Sequence, residues 1–123
     1  MQIDCYSAND PTSIMSPLYS GLIYFPVPKA NVSSSCTLGG YPEYVVNATR
    51  PTQVQAAVNF ALEKNIRLAI KNTGYDFNGK SIGGGALSVW THHFKDIQFV
   101  AYNSTRYKGA AIKAGSGVQA REF

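Results

Sequence analysis

A chain of 123 residues, 45% hydrophobic and 15% charged, suits one small globular domain with a modest core. Its apolar patches are too short for a membrane helix, which needs about 20 residues; the one at Leu22-Ile23-Tyr24-Phe25 is closed by Pro26 and Pro28. Eleven basic against seven acidic residues give a net charge of +4, but they are scattered, so the balance argues against a nucleic-acid binder and is compatible with an anionic ligand.

Residues 1–38 are rich in Ser and Pro without lasting periodicity and read as an irregular arm. They hold both cysteines, Cys5 and Cys36, which are either a disulfide or two free thiols. Three N-glycosylation sequons, at Asn31, Asn47 and Asn103, lean towards the secretory pathway. Residues 1–15 lack the charged start and apolar core of a signal peptide, so a signal has been removed or lost, or the protein is intracellular.

The pattern becomes regular from Tyr41 onward. Glu43–Asn47 predicts a short strand, and Thr52-Gln53-Val54-Gln55 a capping box that opens a helix to about Lys64. Val54, Ala57, Val58, Ala61 and Leu62 form its apolar stripe, and Asn65 its left-handed stop. Ile66, Leu68 and Ile70 alternate with Arg67 and Ala69 as in a half-buried strand, completing a β-α-β unit; the two strands, if neighbours, would be parallel. Strands are also predicted at 86–90, 96–102 and 110–114, with a polar turn at 103–109. Residues 118–123 read as the first turn of a helix that does not continue, which suggests the N-terminal piece of a longer protein or a truncated reading frame.

The chemistry concentrates where the 66–70 strand breaks. Lys71-Asn72-Thr73-Gly74-Tyr75-Asp76-Phe77-Asn78-Gly79-Lys80-Ser81 combines two glycines with small polar residues and two lysines. Glycine lets backbone N–H groups turn inward and approach anionic oxygens, which points to a phosphate-bearing cofactor. Lys71 or Lys80 would neutralise that charge as a point cation, or lie solvated on the surface. Asp76 would fix the loop by accepting backbone N–H bonds, or form an ordinary Asx-turn. Gly83-Gly84-Gly85 is either a second close approach or a plain connection. His92 and His93 are adjacent and so unsuited to sharing one metal ion, while Trp90 reads as core.

From Gly39-Gly40-Tyr41-Pro42 through Val46-Asn47-Ala48-Thr49-Arg50-Pro51, the helix and the 70–81 loop, the sequence resembles the FAD-binding domain of the vanillyl-alcohol oxidase/p-cresol methylhydroxylase (PCMH) type. Leu87–Ile97 and Ala114-Gly115-Ser116-Gly117-Val118-Gln119 extend the likeness, which is greatest to fungal FAD-linked oxidoreductases of the berberine-bridge and isoamyl-alcohol-oxidase kind. The resemblance implies an α+β fold, with residues 39–123 as a partial FAD-binding domain. It makes Lys71, Asn72, Thr73, Gly74, Tyr75, Asp76, Gly79 and Ser81 the cofactor-binding set, and oxidation of a small-molecule alcohol or secondary-metabolite intermediate by hydride transfer to FAD the reaction. A secreted glycoprotein or inactive remnant is the alternative.

The catalytic base and substrate pocket would then lie beyond Phe123. Many relatives carry a flavin-linked histidine where Tyr75 stands. A phenol, with a reference pKa near 10, is a far weaker nucleophile at neutral pH, so the expectation is non-covalent FAD.

Overall fold

The computed structural model describes residues 7–15, Tyr19 and 38–123. Cys5, Cys36 and Asn31 lie outside them, as do the expected disulfide and one sequon. The described elements are β1 (Tyr44–Asn47), α1 (Pro51–Glu63), β2 (Leu68–Lys71), β3 (Leu87–Trp90), β4 (Ile97–Asn103) and β5 (Lys108–Ala114), followed by a single 3-10 turn at Ala120–Glu122. They form a three-stranded parallel sheet and a separate antiparallel hairpin.

The helix begins two residues earlier than the capping box predicts, with Arg50 and not Thr52 at the N-cap. Pro51 takes the first helical position, where its fixed φ and missing N–H cost nothing. The residue that reaches back is therefore Gln53, whose Oε1 accepts from the Thr49 N–H at 2.8 Å and the Arg50 N–H at 3.0 Å. Asn65 does stop the helix in a left-handed conformation, φ 51°, with the Ile66 N–H donating to the Ala61 carbonyl at 2.8 Å.

The predicted stripe is only partly inward. Ala57 and Ala61 are buried and Val54 is half-buried against the sheet, whereas Val58 is exposed and Leu62 is 81% exposed.

The two strands of the β-α-β unit are not neighbours. The sheet order is β1-β3-β2, with Val89 in register with both Val46 and Ile70. Strand β3 takes the centre because it can be buried on both faces: Ser88 and Val89 are 1% and 0% exposed. Val89, Ala48 and Ala57 form the core cluster, flanked by Val46, Val54, Leu68 and Leu87.

Strand β2 follows the sequence reading at Leu68, which packs on the core, but departs from it at its carboxyl end. Ile70 is over half exposed, while Ala69 and Lys71, on the other face, are buried. That face is covered by residues far away in sequence. Because β2 and β3 run parallel, residues 72–86 must leave the carboxyl end of β2 and return to the amino end of β3. This crossover contains the glycine-rich loop, and its start is thereby held at the carboxyl end of the sheet.

Candidate functional site at the carboxyl end of the sheet

The loop splits into parts with different jobs. Asp76 is its organiser: Oδ1 accepts the N–H groups of Asn78 and Lys80, each at 2.9 Å, and Oδ2 accepts that of Ser81 at 3.0 Å. Partial burial pushes the Asp76 carboxyl up, but bonds from Ser81, Lys80 and Asn78 outweigh it and hold the group below the usual carboxylate range. The bond to Asn78 is an Asx-type contact, and the other two close the turn, so both expected roles of Asp76 coexist. Gly79, at φ 68°, packs under the Tyr19 ring.

Lys71 does not face solvent. It is 1% exposed, its Nζ donates to the Asp10 carbonyl at 2.8 Å and sits 5.5 Å from the centre of the Trp90 ring. The pairing of Lys71 with Trp90 across β2 and β3 explains the approach. Burial lowers the Lys71 amine to about 8, opposed by the Asp10 carboxylate. Gly74 is also buried and turned towards residues 13–14. Lys80 is exposed.

The remaining loop residues open onto a cleft. Asn72, Thr73 and Tyr75 form one wall; Ser116, Val118, Gln119, Ala120 and Arg121 form the other, around a volume of about 430 Å³. Asn72 joins the walls by donating from Nδ2 to the Ser116 carbonyl. The Asn72 Oδ1 and both amide atoms of Gln119 are buried with no hydrogen-bond partner among the described residues.

The second wall is shaped by Lys95. Its Nζ donates to the Glu122 carboxylate at 2.8 and 2.9 Å and also to the Gly117 carbonyl, while Glu122 Oε2 accepts the Gln119 N–H at 2.6 Å. The hydrogen bond from Lys95, then that from Gln119, lowers the Glu122 carboxyl. Gly117 permits this wall because a Cβ there would collide with the His92 carbonyl.

The sequence-derived set therefore divides. Asn72, Thr73 and Tyr75 line the cleft, whereas Lys71, Gly74, Asp76, Gly79 and Ser81 support it from behind. Residues 116–121 were absent from that set, although the Gly115-Ser116-Gly117 run was the available signal for a close backbone approach. His92 and His93 lie in a turn after β3, not in a strand. His92 is buried with Nε2 3.1 Å from Asn9 Oδ1, stacked on Trp90; His93 is exposed. Burial lowers His92 below 6.5, assisted by the nearby Lys95, His93 and Lys71.

No family model matches the chain. It is 46% identical over 115 residues to the VAO-type flavoprotein oxidase VAO615 of Thermothelomyces thermophilus, covering 93% of this chain and 20% of the relative. It is 47% identical over 91 residues to the FAD-linked oxidoreductase patO of Penicillium expansum, covering 74% of this chain and 16% of that protein. The crystal structure of the VAO-type flavoprotein MtVAO615 from Myceliophthora thermophila C1 superposes with a TM-score of 0.81 at 44% identity, over 94% of this chain and 21% of the other. The chain is a homologue of VAO-type flavoproteins. It spans about one fifth of the length of the relatives it matches.

Proposed function

We propose that this chain is the FAD-binding N-terminal subdomain of a PCMH-type oxidoreductase, which oxidises an alcohol or a secondary-metabolite intermediate. The supporting observation is the cleft at the carboxyl end of the parallel sheet, where Asn72 and Gln119 carry buried amide atoms without partners among the described residues. Such atoms are costly unless something completes their hydrogen bonds. A dinucleotide is suited to do so, since its amino, imide and hydroxyl groups can donate to Asn72 Oδ1 and Gln119 Oε1 while its phosphate and carbonyl oxygens accept from Gln119 Nε2. This is also where open α/β sheets generally bind ligands.

FAD, when bound, supplies the electron sink for hydride removal from a substrate C–H bond. The chain's own residues hold and orient it. Asn72, Thr73 and Tyr75 present one wall, and Ser116, Gln119 and Arg121 the other. Asp76 keeps the 78–81 backbone in a fixed turn. Arg121 is the cleft-lining cation, since Lys71 is engaged with Asp10. Tyr75 offers an aromatic face in place of a nucleophilic imidazole, which favours non-covalent flavin. The sequons at Asn47 and Asn103 fall on exposed positions, which supports a route through the secretory pathway.

The test is to add FAD to the purified chain and record the flavin absorbance between about 350 and 500 nm, the range of its chromophore. A perturbed spectrum and retention through gel filtration are expected, with all flavin released on acid precipitation. Free-flavin behaviour without retention would reject the binding assignment for this chain. Flavin left on a peptide containing Tyr75 would reject the non-covalent one.

A further inference from the structure

Residues 7–15 lie across the carboxyl end of the parallel sheet and meet the loop at several separate points. Lys71 Nζ donates to the Asp10 carbonyl at 2.8 Å, and the Met15 N–H donates to the Gly74 carbonyl at 2.9 Å. Asn9 Oδ1 is 3.1 Å from His92 Nε2, and Ala8 is buried. Gly74 fits so tightly that a Cβ would stand 2.8 Å from the Ser13 carbonyl and 3.1 Å from Lys71 Cε.

The segment has its own internal order. Asp10 Oδ1 accepts the N–H groups of Thr12 and Ser13 at 2.7 and 2.9 Å, and the Ser7 N–H donates to Ser13 Oγ at 2.9 Å. The loop side is equally fixed: the Trp90 indole N–H donates to the Asn72 carbonyl at 3.0 Å, beneath the Lys71 ammonium.

We propose that residues 7–15 act as a clasp that sets the shape of the cofactor loop, with Lys71 and Gly74 as positioning residues that face the clasp and not the cofactor. The inference rests on the FAD reading above. A buried ammonium is strongly disfavoured without an acceptor. The Asp10 carbonyl fills that need only while the clasp is seated. Seating it also places Met15 on the Gly74 carbonyl, which holds the chain between the cleft-lining Thr73 and Tyr75. Loop shape and clasp docking are thus one event, linked through residues more than fifty positions apart.

Lys71→Met keeps the aliphatic stem over Trp90 and removes the donor; Lys71→Arg restores a donor. Trp90 is the chain's one tryptophan, so its emission reports directly on the ammonium above it. In Lys71→Met the Trp90 emission should shift, amide hydrogen exchange in residues 7–15 should accelerate at least about tenfold, and FAD affinity should fall about tenfold, the loss of one hydrogen bond to a charged group. Lys71→Arg should recover most of each change.

Wild-type exchange in residues 7–15 of Lys71→Met would overturn the clasp. Fast exchange with undiminished FAD affinity would overturn its role in the loop. Should Lys71→Met not fold, deletion of residues 1–15 tests the same point, with the same tenfold loss expected and unchanged affinity counting against the proposal. If the wild-type chain does not bind FAD, the cofactor reading fails, and the exchange and emission measurements alone decide whether the clasp exists.

Discussion

The parallel sheet and the β4–β5 hairpin solve the same problem in opposite ways. Strands β1, β2 and β3 have four residues each, and β3 is almost fully buried. Strands β4 and β5 have seven residues each, are paired in unbroken register, and are largely exposed. The hairpin is held by local pairing: Phe99 faces Ile112 across the strands, Tyr102 stacks on Tyr107, and the Tyr107 hydroxyl donates to the Ala110 carbonyl at 2.7 Å. The sheet depends on the helix, the crossover and the clasp, all of which come from elsewhere in the sequence. Local pairing builds a strand pair, but only long-range burial gathers two loops and a distant segment around one cleft. One wall of the candidate site therefore leaves the short strand β2, and the other is the chain that follows β5.

Three measurements probe this contrast. The largest effect is expected at the centre of β3. Val89→Asp places an unpaired carboxylate where exposure is 0% and should cost about 4 kcal/mol or more, read as loss of the cooperative urea transition by circular dichroism. A wild-type midpoint would mean that the sheet is not the stabilising unit.

The second effect concerns Lys71, whose amine is lowered by burial from 10.5 to about 8. Between those values the unfolded chain holds a proton that the folded chain has released, so stability should rise with pH across this window. One group contributes at most about 1.4 kcal/mol per pH unit. Urea midpoints measured from about pH 8 to pH 10 should climb in the wild type, and this component should vanish in Lys71→Met. An equal slope in both would place the titration elsewhere.

The smallest effect is expected on the hairpin. Phe99 is 83% exposed, so Phe99→Ser should change stability by no more than about 0.5 kcal/mol. A loss comparable to that at Val89 would show that this face is covered in solution and would erase the contrast.

Local signals were legible where local physics decides the outcome. The strand positions, the stop at Asn65 and the hairpin followed from periodicity and turn chemistry, with boundaries displaced by one to a few residues. Pro51 moved the helix start because its preference for the first helical position outweighs Thr52 as a cap. The order β1-β3-β2 was not legible, because nothing in the β-α-β pattern marks a later strand as the one to insert. Nor was the burial of Lys71, since its acceptor on Asp10 is supplied by an arm whose composition signals only irregularity.

By itself the sequence determined the family likeness, the strand-to-loop break at Lys71 and the glycine runs that permit close backbone approach, because these depend on residue identity and short-range order. The tertiary structure alone decided which loop residues line the cleft and which stand behind it. A side chain's role there depends on what burial brings next to it: Asp76 turns inward to the 78–81 backbone, Lys71 turns to the arm, and Asn72 meets Gln119 and Arg121 from the far end of the chain.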